Sequence, residues 1–219
     1  KDKQYVESRK ARFTSENTPK DREARKLARI LEVVLLDQIN SNKWFGSKAK
    51  AFGSSEFDDI ANGVDSIVEI REPETTTSYL ALGLDVTYSH EMTRKFDRIK
   101  SEIEQGQLTT VKYLKSSDGT FRGEMRNVPR LVVGVDGENC LNLAKAWHQN
   151  ASGLKVNPTR FQIIDELYKQ LVAFENYAIK IGQPIVADKY RQSKKLLEPL
   201  QAEADKFYAT QKHDIKDRA

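Results

Sequence analysis

The stretch Gly63–Thr87, GVDSIVEIREPETTTSYLALGLDVT, decides the fold. Val64 to Arg71 and Tyr79 to Tyr88 are rich in β-branched, aromatic and alternating apolar residues, and each predicts a strand. The polar segment Glu72-Pro73-Glu74-Thr75-Thr76-Thr77-Ser78 between them predicts the turn of an antiparallel hairpin. Centring that turn on Thr75 makes Arg71 face Tyr79, Val68 face Leu82, and Asp65 face Asp85. Side chains alternate along a strand. Val64, Val68 and Ile70, with Leu80, Leu82, Leu84 and Val86, then form a core face. Asp65, Ile67 and Glu69, with Ala81, Gly83, Asp85 and Thr87, form the other. Two carboxylates directly across such a pair have Cβ atoms about 5 Å apart and repel unless a cation lies between them. Oxygen donors suit Mg²⁺ or Mn²⁺. The competing reading is that the two aspartates terminate strands in solvent.

Outward from the hairpin, Leu27, Ile30, Leu31, Val34 and Leu35 recur at helical spacing and predict a helix over Lys20–Asn40. A short strand is an option at Lys48–Phe52. Met92, Phe96, Ile99 and Ile103 predict a helix over Glu91–Gln105, closed by Gly106. Strands follow at Thr109–Lys115 and Arg130–Val135, then a helix at Glu138–Gln149. Beyond Asn150 the pattern is two helices, Thr159–Ile181 and Ile185 to about Lys212, broken at Gly182-Gln183-Pro184. The expected class is therefore α/β: a mixed sheet flanked by helices, with a C-terminal α-helical hairpin. The expected division is an arm over residues 1–19, a core over 20–150 and the hairpin over 151–219.

Composition narrows the function classes. With 38% hydrophobic and 31% charged residues, the chain can bury a core, and no run approaches the apolar length of a membrane span. The single Cys140 excludes an internal disulfide framework and any multi-cysteine zinc site, and a reducing, cytoplasmic setting is expected. Residues 1–26, the arm and the start of the next helix, hold nine Lys/Arg and five Asp/Glu, so the whole net charge of +4 sits at this end of the chain. Such an arm attracts phosphates, although a solvated tail reads the same way. His90, His148 and His213 show no metal spacing, and Gly134-Val135-Asp136-Gly137 lacks the spacing and lysine of a phosphate loop.

Helix, β-hairpin, helix, strand, with an acid on the first hairpin strand and another on the second, resembles the PD-(D/E)XK (restriction-endonuclease-like) nuclease superfamily over about residues 20–148. Gly63-Val64-Asp65 looks like the first half-motif, with Val in place of Pro, and Leu84-Asp85-Val86-Thr87 like the second. Glu56-Phe57-Asp58-Asp59, Asn62-Gly63-Val64-Asp65 and Asp85-Val86-Thr87 are together similar to an uncharacterised bacterial branch.

The resemblance implies a nuclease acting on DNA, with Asp65 and Asp85 holding Mg²⁺ or Mn²⁺ and Glu32, from the first helix, as a further candidate, with Glu23 as the fallback. Asp59 and Glu56, ahead of Asp65 in an expected loop, either complete the metal shell or form turns. The superfamily's lysine falls at Thr87, which cannot supply a positive charge. Some members draw that lysine from the following helix, where Lys95 is the first candidate and Lys100 the second. Arg122 and Arg126, in a basic connection, are candidate phosphate contacts together with Lys100. The alternative is a non-catalytic nucleic-acid- or protein-binding module on the same fold, with the helical hairpin as the surface for a second copy or another protein.

Overall fold

The computed structural model describes residues 1–15, 18–71, 77–87 and 90–216; of these, residues 13–15, 19–21, 77, 79–87, 90–92 and 211–216 are described by their backbone alone. The turn expected at residues 72–78 therefore lies almost wholly outside the described residues. Six helices and six strands follow one another. They are α1 (Asp2–Ser15), α2 (Pro19–Ser41), β1 (Ala49–Gly53), β2 (Ser66–Arg71), β3 (Thr77–Thr87), α3 (His90–Glu104), β4 (Thr109–Lys115), β5 (Arg122–Val128), β6 (Arg130–Asp136), α4 (Gly137–Asn150), α5 (Pro158–Lys180) and α6 (Pro184–Lys216). A π-helical turn, Asp58–Asn62, precedes β2, and a 3-10 turn, Ala151–Val156, joins α4 to α5.

The main sheet runs β1-β2-β3-β6; β2 is antiparallel to both β1 and β3, and β6 is parallel to β3. The sheet is therefore mixed, with helices packed on it, as the sequence led us to expect. A separate two-stranded ribbon, β4–β5, crosses its other face. Ile67 and Val68, neighbours on β2 pointing opposite ways, are 1% and 0% exposed, so both faces of β2 are covered. Val68 and Ile70 join the main core with Leu31, Val34 and Leu35 of α2, Ile99 and Ile103 of α3, and Leu167 and Leu171 of α5. Ile67 joins a smaller cluster with Val64, Val111, Leu114 and Val128 under the ribbon. Glu69, on the face expected to be open for a site, is 1% exposed beneath this ribbon.

The hairpin register departs from expectation by two residues. Ile67 pairs with Ala81, Val68 with Leu80 and Ser66 with Leu82, so paired positions sum to 148 rather than 150. A shift of two keeps every residue on its face, because the side-chain period is two. It does remove the direct pairing of Asp65 with Asp85. Continued past Ser66, the register brings Asp65 level with Gly83, and Asp85 lies two residues further along β3, paired with Gly134 of β6.

The α5–α6 hairpin is built into the same core. Phe161 stacks on Phe207 at 4.2 Å, Tyr190 is fully buried, and both Phe161 and Tyr190 belong to the cluster that includes the sheet. Gln170 of α5 covers the edge of β6: its Oε1 accepts from Val132 N at 2.9 Å and its Nε2 donates to Val132 O at 2.7 Å. That closes backbone groups that would otherwise invite another strand.

The residues expected to form a polar arm are largely helix α1, docked on the ribbon. Val6 is buried, Tyr5 meets Phe57, and Phe57 meets Tyr113 edge-on at 5.7 Å. The Asp2 carboxylate accepts from Lys112 Nζ at 2.5 Å and from the Tyr113 hydroxyl at 2.7 Å. Among the described residues no helix is long and apolar enough to cross a membrane.

Candidate metal and nuclease site

Four described side chains from four segments meet at the open end of β2. Glu32 comes from α2, where Leu31, Val34 and Leu35 are buried and carry the neighbouring Glu32 to the sheet. Asp59 comes from the π-helical turn, Asp65 from the residue before β2, and Lys95 from α3. Lys95 Nζ lies 3.9 Å from Asp65 Oδ2, both side chains being little more than a quarter exposed. Gly53, at the end of β1, stands beside Glu32: a Cβ added there would sit 3.5 Å from Glu32 Oε1.

The electrostatics mark this group as crowded with negative charge. Burial pushes the Asp59 carboxyl up to about 7, and the charge of Asp65, a hydrogen bond shared with Asp65, and the charge of Glu32 push the same way, against Lys95. Asp59 is exposed as a residue, so solvent screens part of this. Burial also raises Glu32, which is 9% exposed, while Arg29 opposes the rise through a 2.6 Å ion pair and Asp65 adds to it.

Among the described residues, no three carboxylate, imidazole or thiolate groups stand close enough to enclose a metal ion by themselves. Asp59 and Asp65 are the touching pair, and Glu32 stands within electrostatic range. The donors are all hard oxygens, and Mg²⁺ is ordinarily held by one or two carboxylates with water and phosphate oxygens filling the rest. The donor set therefore fits Mg²⁺ or Mn²⁺. Asp85 and Thr87 are placed by backbone register alone, and their side chains lie outside the described residues.

The remaining candidates stand elsewhere. Lys100 is directed along its own helix toward Glu104, at 3.9 Å, and away from the acids. Arg122 and Arg126 are exposed on β5, which is a strand of the ribbon rather than a loop, and Arg126 pairs with Glu124 at 2.6 Å. Glu56 pairs with Lys10 of α1, and Glu23 is exposed on α2. Cys140 is buried, and burial raises its thiol to about 11, far from a reactive thiolate.

The sequence reading overlooked the buried polar scaffold behind the site. Asp58, fully buried, accepts from Lys112 N at 2.7 Å, Tyr113 N at 3.0 Å, Ser55 Oγ at 2.7 Å and Asn62 Nδ2 at 2.8 Å. Glu69 holds the far end of the ribbon by accepting from Ser117 N at 2.8 Å, Ser117 Oγ at 2.9 Å and Arg71 Nε at 3.0 Å. Arg130, 4% exposed, donates to Asn62 O at 2.6 Å and to Glu102 Oε1 at 2.8 Å. The partners that anchor these residues to the ribbon and to α3 lie tens of positions away, while Ser55 and Asn62 beside Asp58 and Arg71 beside Glu69 are local. No family model matches the chain, and no curated protein and no solved structure matches it significantly.

Proposed function

We propose that the chain is a divalent-metal-dependent nuclease of the PD-(D/E)XK type, on a restriction-endonuclease-like core, hydrolysing phosphodiester bonds of DNA. The observation that carries this reading is the meeting of Asp65, Asp59 and Glu32 with the Lys95 ammonium at the end of a sheet. Carboxylates crowded together repel one another, and a bound cation relieves that repulsion.

Asp65, Asp59, Glu32 and Asp85 are the residues that would hold Mg²⁺ or Mn²⁺. When bound, such an ion supplies an acidified water and neutralises charge on a phosphate oxygen. The chain's own residues do the rest. Lys95, beside Asp65, would donate to a phosphate oxygen and stabilise the charge that develops on it, the role that Thr87 cannot fill. Arg29 holds Glu32 in one orientation. Asp59, raised to about 7, would have to lose its proton to hold a cation, so occupancy of the site would rise with pH. Arg122 and Arg126, exposed on the ribbon, offer contacts to the phosphate backbone.

The test is a cleavage assay on single- and double-stranded DNA and RNA with Mg²⁺, with Mn²⁺ and with EDTA. The expected result is metal-dependent cleavage of DNA that Asp65→Asn abolishes. A wild type inactive on every substrate with either metal would replace the nuclease by a non-catalytic binding module.

A further inference from the structure

Resting on that reading of the acid site, we propose that Asp58 is a positioning residue: its buried carboxylate fixes the π-helical turn that delivers the neighbouring Asp59 to Asp65. Successive residues of a helical turn project roughly 80–100° apart. Asp58 accordingly turns into the ribbon, where it meets the amides of Lys112 and Tyr113, while Asp59 turns into the acid site. The turn is thus a wedge between ribbon and site, and the ribbon is its anchor.

The chemistry of the anchor requires a carboxylate. All four partners of Asp58 are donors, two to each oxygen: Lys112 N and Asn62 Nδ2 to Oδ1, Tyr113 N and Ser55 Oγ to Oδ2. An asparagine of the same shape would set an NH₂ against two donors. Serine and asparagine at the two ends of the turn are held by the same group, so one side chain fixes the turn's start, its end and its distance from β4.

The far end is fixed independently. Gly63 closes the turn at φ +62°, in the left-handed region where an L side chain is strained. Arg98 Nη1 and Arg130 Nη1 lie 3.1 and 3.2 Å from where a Cβ on Gly63 would sit. Arg98 Nη2 donates to Ala61 O at 2.8 Å and Arg130 Nη1 to Asn62 O at 2.6 Å, so two guanidinium groups cap the last carbonyls of the turn. Arg98 lies one helical turn after Lys95 on α3, so the helix that locks the turn also carries the lysine of the site.

The experiment compares Asp58→Asn with Glu69→Gln, which removes the charge of the equivalent buried carboxylate at the other end of the ribbon. Mn²⁺ binding is measured by calorimetry on each folded protein. Asp58→Asn is expected to weaken Mn²⁺ at least tenfold, and Glu69→Gln less than twofold. Gly63→Ala moves the turn from its other end without touching the ribbon, and it should reproduce the loss if Asp58→Asn does not fold.

A second readout needs no metal. Asp59→Asn removes one of the crowded charges and should raise the melting temperature at pH 8, but not in a Gly63→Ala or Asp58→Asn background, where Asp59 no longer reaches Asp65. Equal Mn²⁺ affinities in Asp58→Asn and Glu69→Gln, or an Asp59→Asn effect identical in every background, would overturn the proposal. If the wild type binds no Mn²⁺, the metal reading of the site falls, and this coupling alone decides the positioning role: present, it upholds it; absent, it ends it.

Discussion

Two groups of carboxylates sit within a few residues of each other and are treated in opposite ways. Asp58 and Glu69 are buried to 0% and 1%, yet each oxygen has donors aimed at it. Glu32, Asp59 and Asp65 are more open, yet they face one another, with Arg29 beside Glu32 and Lys95 beside Asp65. Burial costs a charge its hydration, and aimed donors offset that cost. The first group is what holds the ribbon to the sheet. In the reading proposed above, the second is kept for a ligand rather than for stability.

The contrast can be broken most severely at the satisfied group. Asp58→Ala leaves two ribbon amides and two side chains without their acceptor. We expect a loss of about 3–5 kcal/mol, the usual result of removing one side of a buried, hydrogen-bonded charge. Urea denaturation measures it, and a loss below about 1 kcal/mol would mean that water satisfies these amides. Truncating the crowded group should do the reverse, with little or no loss of stability.

Next in size is Lys95→Ala. It removes the cation beside Asp65 and should lower cleavage by about 10²-fold or more, as removal of a donor to developing charge does elsewhere, while the fold persists. Full activity in Lys95→Ala would assign the lysine to charge balance alone.

The smallest effect sharpens the comparison through pH. Asp59 is raised from 3.8 to about 7 in the folded chain, so folding favours its protonated form. Its contribution to stability is fully present below about pH 4, declines as pH rises and is lost above about pH 7. The stability of wild type relative to Asp59→Asn should therefore fall between those limits and level off beyond them. A difference independent of pH would show that the Asp59 carboxyl is not raised by its neighbours.

Much of the fold was legible because burial imposes periodicity. The stripe of α2 and the apolar run of β6 are direct consequences of facing a core, and Glu32 could be located from its place beside that stripe. β5 was not, because RGEMRNV exposes Arg122, Glu124 and Arg126 and buries only Val128 fully. The hairpin register was legible only to within its parity: alternation fixes which face a residue takes, and the turn, not the strands, fixes the pairing.

In the site, Asp65 and Lys95 were legible through the order of elements. Asp58 was not, because a buried aspartate whose partners are backbone amides of β4 reads in sequence as an ordinary turn residue.

The measurement that bears most directly on the account is the melting temperature of wild type and Asp65→Asn with Mn²⁺ or with EDTA. A crowded carboxylate site binds a cation in the native state only, and such binding raises the melting temperature by mass action. We predict that Mn²⁺ stabilises the wild type and leaves Asp65→Asn unchanged. Equal responses of the two proteins would contradict the assignment of this cluster as a metal site.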